Sequence, residues 1–290
     1  MKNLFIFLII LLSFLLTLND NLTLDPSESI YYQEKYFRFL ANNYENIKQG
    51  DYWTVFHEEK GIGFKASKDF GSFLFVKDWS IYSFKLTKII FRPFCSYNTK
   101  INGDTIEYDA ELLLYHSIDN NYFPPGKRVY LGINFLIISV PFKKTDFMDP
   151  SSDKLLEFLN LEIYRNSLDK GLKIGPYKPI KLYQMIQHQP QYLFEATDLS
   201  SNEKTLYLIF SQYHNINEKD YELLTAAYDT FSFGEFDDNP ISGFDNNTIV
   251  YRNFQNPDEL KSRLTLMAYN NQNYFKLKWI ILIIIYFILI

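Results

Sequence analysis

Along most of this chain the apolar positions come in short bursts and not in helical stripes. Residues 53–56, 71–76, 84–91, 111–115, 129–140 and 205–210 are rich in β-branched and aromatic side chains and read as strands. Turn chemistry separates several of them: Asn102-Gly103, Pro124-Pro125-Gly126 and Gly175-Pro176. Ile101 to Asp104, followed by residues 105–114, reads as the turn and second arm of a hairpin. Helical patterning is confined to residues 151–159, opened by Ser151, Ser152 and Asp153, and to residues 217–224, opened by Asn217. With no internal repeat and no long linker, the pattern predicts a mainly β single domain with a few short helices.

Both ends depart from this pattern. Lys2 precedes an apolar run at residues 4–16 broken only by Ser13, the layout of a secretory signal peptide over residues 1–18. Thr17 to Asp20 lack the small residues of a clear cleavage site, so an uncleaved anchor is the alternative. The last twelve residues, 279–290, contain no charged residue. That is short of the ~20 residues a spanning helix needs. Such a tail after a polar spacer at 266–278 has the form of a glycolipid-anchor signal, with Asn270 or Asn271 as the attachment residue. A membrane-spanning tail and a core segment are the other readings; an all-apolar end cannot alternate between a wet and a dry face, which favours the membrane. Between the ends, residues 19–50 read as an N-terminal extension and 51–265 as the domain. Asn21 and Asn246 open glycosylation triplets for a chain that enters the secretory pathway.

Composition narrows the classes. The chain of 290 residues is long enough to bury a sizeable core, and its scarcity of Gly and Pro, 11 each, argues against disorder. A net charge of −5 without a Lys/Arg cluster gives no reason to expect nucleic acid. One cysteine, Cys95, excludes an intrachain disulfide and reads as a buried small hydrophobe, with pairing to another chain as the alternative. The four histidines, His57, His116, His188 and His214, have no metal-ligand spacing among them, and His116 reads as a structural core histidine. Nucleophile-elbow, phosphate-loop and His-Glu-x-x-His motifs are absent from the sequence.

Partial matches in one order carry a resemblance. Phe84, Leu86, Lys88, Ile90, Phe91 and Arg92 follow a strand of pattern Tyr-x-Leu-x-Gln-x-His-Phe-His, and Ile101, Asn102 and Gly103 the turn after it. Glu111, Leu112, Leu114 and His116 follow Glu-Leu-His-Leu-Val-His. Leu131, Gly132 and Ile133 follow Leu-Gly-Ile, and Leu199 with Ser200 and Ser201 stands for Leu-Thr-Thr. A strand and helix at 205–210 and 216–224 come next, and Arg252 with Gln255 echoes a closing Arg-Pro-x-Gln; upstream, Gly61 fits Asn-Gly-His. Over residues 53–263 the chain thus resembles the α-carbonic anhydrases. The resemblance implies a large twisted, mostly antiparallel central sheet with a few short peripheral helices, in which residues 84–92 and 106–116 are neighbouring antiparallel strands.

It also implies what is missing. In that family two histidines spaced by one residue, ~6.6 Å apart along a strand, and a third from the next strand hold zinc, which lowers the pKa of a bound water to about 7. The corresponding positions here are Ile90, Arg92 and Leu113, none of them a zinc ligand. The proton-shuttle position is Ile62, the hydroxide-orienting Thr is Ser200, and the Glu that fixes it falls near Asn98. Lys88 and Glu111 stand at the supporting positions on the two strands. The resemblance therefore implies an acatalytic relative that binds no zinc, secreted or membrane-tethered, at the cell surface or in an organelle lumen, with a protein or glycan as its unidentified ligand. A divergent zinc-dependent carbonic anhydrase and a structural protein of a secretory organelle are the competing readings.

One structural expectation follows from residue alternation. Lys88, Ile90 and Arg92 share a face of one strand, and Glu111, Leu113 and Tyr115 share a face of the next. A buried, unpaired carboxylate is costly, so Glu111 is expected to pair with Arg92, or failing that Lys88, while Ile90 and Leu113 pack as a plug. The opposing expectation is an Arg92 turned out to solvent over an open cleft.

Overall fold

The computed structural model describes residues 22–31, 37–42, 53–58, 61–66, 72–77, 80–101, 103–119, 133–146, 173–174, 191–197, 203–231 and 248–253. The chain separates into two units, Met1–Asn253 and Phe254–Ile290, and every described residue belongs to the first. The signal segment, Asn21, the 151–159 helix, His188, Ser200, Asn246, Asn270, Asn271 and the apolar tail lie outside the described residues.

Sixteen strands are described. In chain order they are β1 (Leu22–Leu24), β2 (Ile30–Tyr31), β3 (Phe37–Asn42), β4 (Trp53–Glu58), β5 (Gly61–Ala66), β6 (Ser72–Lys77), β7 (Ser80–Arg92) and β8 (Tyr97–Ile101). There follow β9 (Asp104–Ile106), β10 (Ala110–Ile118), β11 (Ile133–Lys144), β12 (Lys173–Ile174), β13 (Gln191–Thr197), β14 (Lys204–Phe210), β15 (His214–Ile216) and β16 (Tyr251–Arg252). Among the described residues there is one helix, α1 (Glu218–Phe231).

Thirteen strands form one sheet with the central order β12-β4-β5-β7-β10-β11-β14-β13-β16-β2. Most neighbours are antiparallel; β11 with β14, β11 with β15, and β16 with β2 are parallel. The long β7 divides one of its edges, pairing with β6 through residues 80–85 and with β5 through 88–91. A second sheet, β1-β8-β9, holds β1 parallel to β8. The segment 19–50, taken from the sequence as an extension, thus supplies strands to both sheets.

The central strands are apolar because both of their faces are covered. Every residue from Ala110 to Leu114 is buried, as are all those from Leu136 to Phe142. Phe84, Ile89, Phe91, Leu112, Ile138, Val140 and Phe142 form the core on one face, and Phe91 meets Phe142 with ring centroids 5.3 Å apart.

The predicted runs 53–56, 84–91, 111–115 and 205–210 fall within strands, as do the described parts of the other two, 72–76 and 133–140, and the second predicted helix is α1. The hairpin is corrected. Thr99, Lys100 and Ile101 pair with Ile106, Thr105 and Asp104 around Gly103, whose φ of 90° is the left-handed conformation that favours glycine. That second arm stops at Ile106, and β10 begins only at Ala110, in the other sheet. Asp109 breaks the run: its carboxylate accepts from the Lys144 backbone N–H at 2.7 Å, and its own N–H donates to the Phe142 carbonyl.

Candidate functional site

The β7–β10 ladder puts the residues of interest directly opposite one another: Arg92 with Glu111, Ile90 with Leu113, Lys88 with Tyr115. The next strand extends these rows, Leu113 to Ser139 and Tyr115 to Ile137, and β14 extends them again to Ile209 and Tyr207. Opposite residues in a ladder share a face, so these rows build one wall. Past Tyr115 the register shifts at a bulge, where the Thr87 hydroxyl donates to the Tyr115 carbonyl at 3.0 Å.

Arg92 is fully buried and Glu111 is 1% exposed. The guanidinium donates through Nε to Glu111 Oε2 at 2.9 Å, and Nη2 forms an ion pair with the same oxygen. The Ser96 backbone N–H and hydroxyl donate to Oε2 at 3.2 and 3.3 Å, and the Ser139 hydroxyl donates to Oε1. Ser139 also lies 3.1 Å from the Tyr97 hydroxyl, which in turn donates to the Phe210 carbonyl at 3.4 Å. The carboxylate is therefore saturated with donors, the condition for holding a charge away from water. On the other side of Arg92, Phe94 presents its ring face 4.7 Å from the guanidinium carbon. Phe94 itself meets Tyr228 of α1 edge-on at 5.6 Å, and the Tyr221 hydroxyl of α1 donates to the Pro93 carbonyl. Among the described residues Arg92 Nη1 has no hydrogen-bond acceptor.

Ile90 and Leu113 are 1% and 3% exposed and fill the space beside the pair. What is left is a cavity of about 10 Å³, lined by Ser96, Glu111 and Ser139 and walled by Leu113, Tyr115, Ile137, Tyr207 and Ile209. It has room for about one water molecule. Burial, and then the charge of Glu111, push the Cys95 thiol well above its ordinary range, so it is a protonated, inert neighbour.

The pairing of Glu111 with Arg92 is present, and both side chains are buried and not turned to solvent. Lys88 is half-buried and places its ammonium 4.8 Å from the Tyr115 ring centre. Among the described residues, the other positions singled out from the sequence do not join the site. Ile62 pairs with Phe91, on the face of the sheet away from Ile90. Asn98 pairs with Thr23 in the second sheet. His116 is buried, with Nδ1 3.0 Å from the Leu114 carbonyl and 3.2 Å from that of Leu136. His214 packs against Phe142. Sequence reasoning missed Ser96, Ser139, Tyr97 and Phe94. Ser139 had a signal: it is the one polar residue in the apolar stretch 135–142 of β11, where a strand buried on both faces tolerates a hydroxyl only with a partner. Ser96 had none, because its role depends on how the chain turns between β7 and β8.

With this geometry in place, comparison with known proteins identifies the fold. No family sequence model matches the chain, and no curated protein sequence does. Solved structures do match. Dioscorin, crystallised with ascorbate, superposes with a TM-score of 0.56 at 15% identity, covering 80% of this chain and 83% of its own. A halotolerant carbonic anhydrase from Dunaliella salina gives 0.56 at 13% identity, covering 80% of this chain and 86% of its own. An α-carbonic anhydrase from Photobacterium profundum gives 0.51 at 12% identity, covering 79% of this chain and 87% of its own. The chain has the carbonic-anhydrase-like fold. The positions that the family resemblance assigns to zinc carry two alkyl side chains and a guanidinium, none with a lone pair to offer a metal. These side chains do not fit a zinc ion, and Arg92 adds a fixed positive charge where the cation would sit.

Proposed function

We propose that this chain is a catalytically inactive, zinc-free carbonic-anhydrase-like domain that serves as a binding module. The observation that carries the reading is the buried Arg92–Glu111 pair flanked by Ile90 and Leu113. Hydration of carbon dioxide in this fold needs a nucleophilic hydroxide at neutral pH, and a metal generates it by lowering the pKa of its water. Here the positive charge is a guanidinium. It donates hydrogen bonds but accepts no lone pair, so it cannot ligate water and acidify it in that way.

The apolar run at 4–16 and the apolar tail at 279–290 support a chain that enters the secretory pathway and is held at a membrane, facing the outside or a lumen. In this reading the tail is exchanged for a lipid anchor at Asn270 or Asn271. Recovery of the intact tail peptide from surface protein by mass spectrometry would favour a membrane segment instead.

Metal analysis and stopped-flow carbon dioxide hydration on purified protein test the central reading. The expected result is no stoichiometric zinc and no rate above buffer; tight zinc or turnover overturns it. The triple variant Ile90→His, Arg92→His, Leu113→His is expected to gain zinc binding with little turnover, since the residues that would orient ligands and move protons are still missing.

A further inference from the structure

We draw no further inference here: the strongest candidate, the apolar patch of the exposed Ile30 on β2 and Ile249 just before β16 at one edge of the large sheet, carries none, because nothing in the structure shows what covers it.

Discussion

Glu111, paired with the buried Arg92, illustrates how a carboxylate in this fold is held away from water by donors from Arg92, Ser96 and Ser139. Breaking such a pair from one side leaves an uncompensated ion and costs about 3–5 kcal/mol, while replacing both partners with apolar groups of similar volume is often neutral or stabilising. Glu111→Ala is therefore expected to lower stability by about that amount in urea unfolding, and Arg92→Met/Glu111→Leu to recover most of it. If the double variant is no better than the single, the pair is not what holds this region. His116 gives a pH-dependent counterpart. Burial holds its pKa down to about 4 from the ordinary 6.5, although the Leu136 and Leu114 carbonyls favour the charged form. The unfolded chain takes up a proton below pH 6.5 that the folded one refuses. Stability from this group is thus complete above 6.5, is lost as pH falls through the window from 6.5 to 4, and changes no further below it. The loss is about 3 kcal/mol. Urea midpoints measured across that window are expected to fall less steeply in His116→Gln than in the parent.

At the scale of elements, α1 and the loop after β7 act as one support. The helix starts with a capping pair: Asn217 Oδ1 accepts from the Asp220 N–H at 2.8 Å, and Asn217 Nδ2 donates to the Asp220 carboxylate at 2.8 Å. Glu218 and Asp220 place negative charge where the helix dipole favours it. Asn217→Ala is expected to cost about 1 kcal/mol in thermal or chemical unfolding. The pattern at 217–224 was enough to place this helix. That its Tyr221 and Tyr228 brace Pro93 and Phe94, and through them Arg92, was not legible, because nothing in the local sequence says which loop a helix face meets.

For the molecule as a whole, the chain's described ends are tied together. β2 lies parallel to β16, Ile30 N–H donates to the Val250 carbonyl, and the buried Arg252 donates through Nε to the Pro26 carbonyl at 3.0 Å. Arg252 also packs over the Tyr31 ring, and the Tyr192 hydroxyl donates to the Leu24 carbonyl at 3.4 Å. Asp25 and Lys100 close the other side with an ion pair at 2.8 Å. Removing residues 22–31 takes two strands and an acceptor from a buried guanidinium. For a domain of this size each kcal/mol moves the melting temperature by ~2–4 °C, and a loss of about 10 °C is expected in a thermal melt. An unchanged melting temperature would show that the segment is an appendage, as its sequence had suggested.

The pairing of this segment marks the boundary between what was written in the sequence and what was not. Alternation and β-branched runs determined the strands of the centre, from residues 84–91 to 205–210, because a strand's faces repeat every two residues and need no knowledge of its partner. The same periodicity fixed which side of each strand Arg92 and Glu111 occupy, and the cost of an unpaired buried charge then required them to meet. The tertiary structure alone decided the rest. The parallel joins β1–β8, β11–β14 and β16–β2 connect segments far apart in the chain, and no local pattern specifies such partners. Ser96 and Ser139 complete the carboxylate's shell only because two strands and a turn converge there. Local preference is a property of neighbouring residues, whereas a site built across strands is a property of their packing.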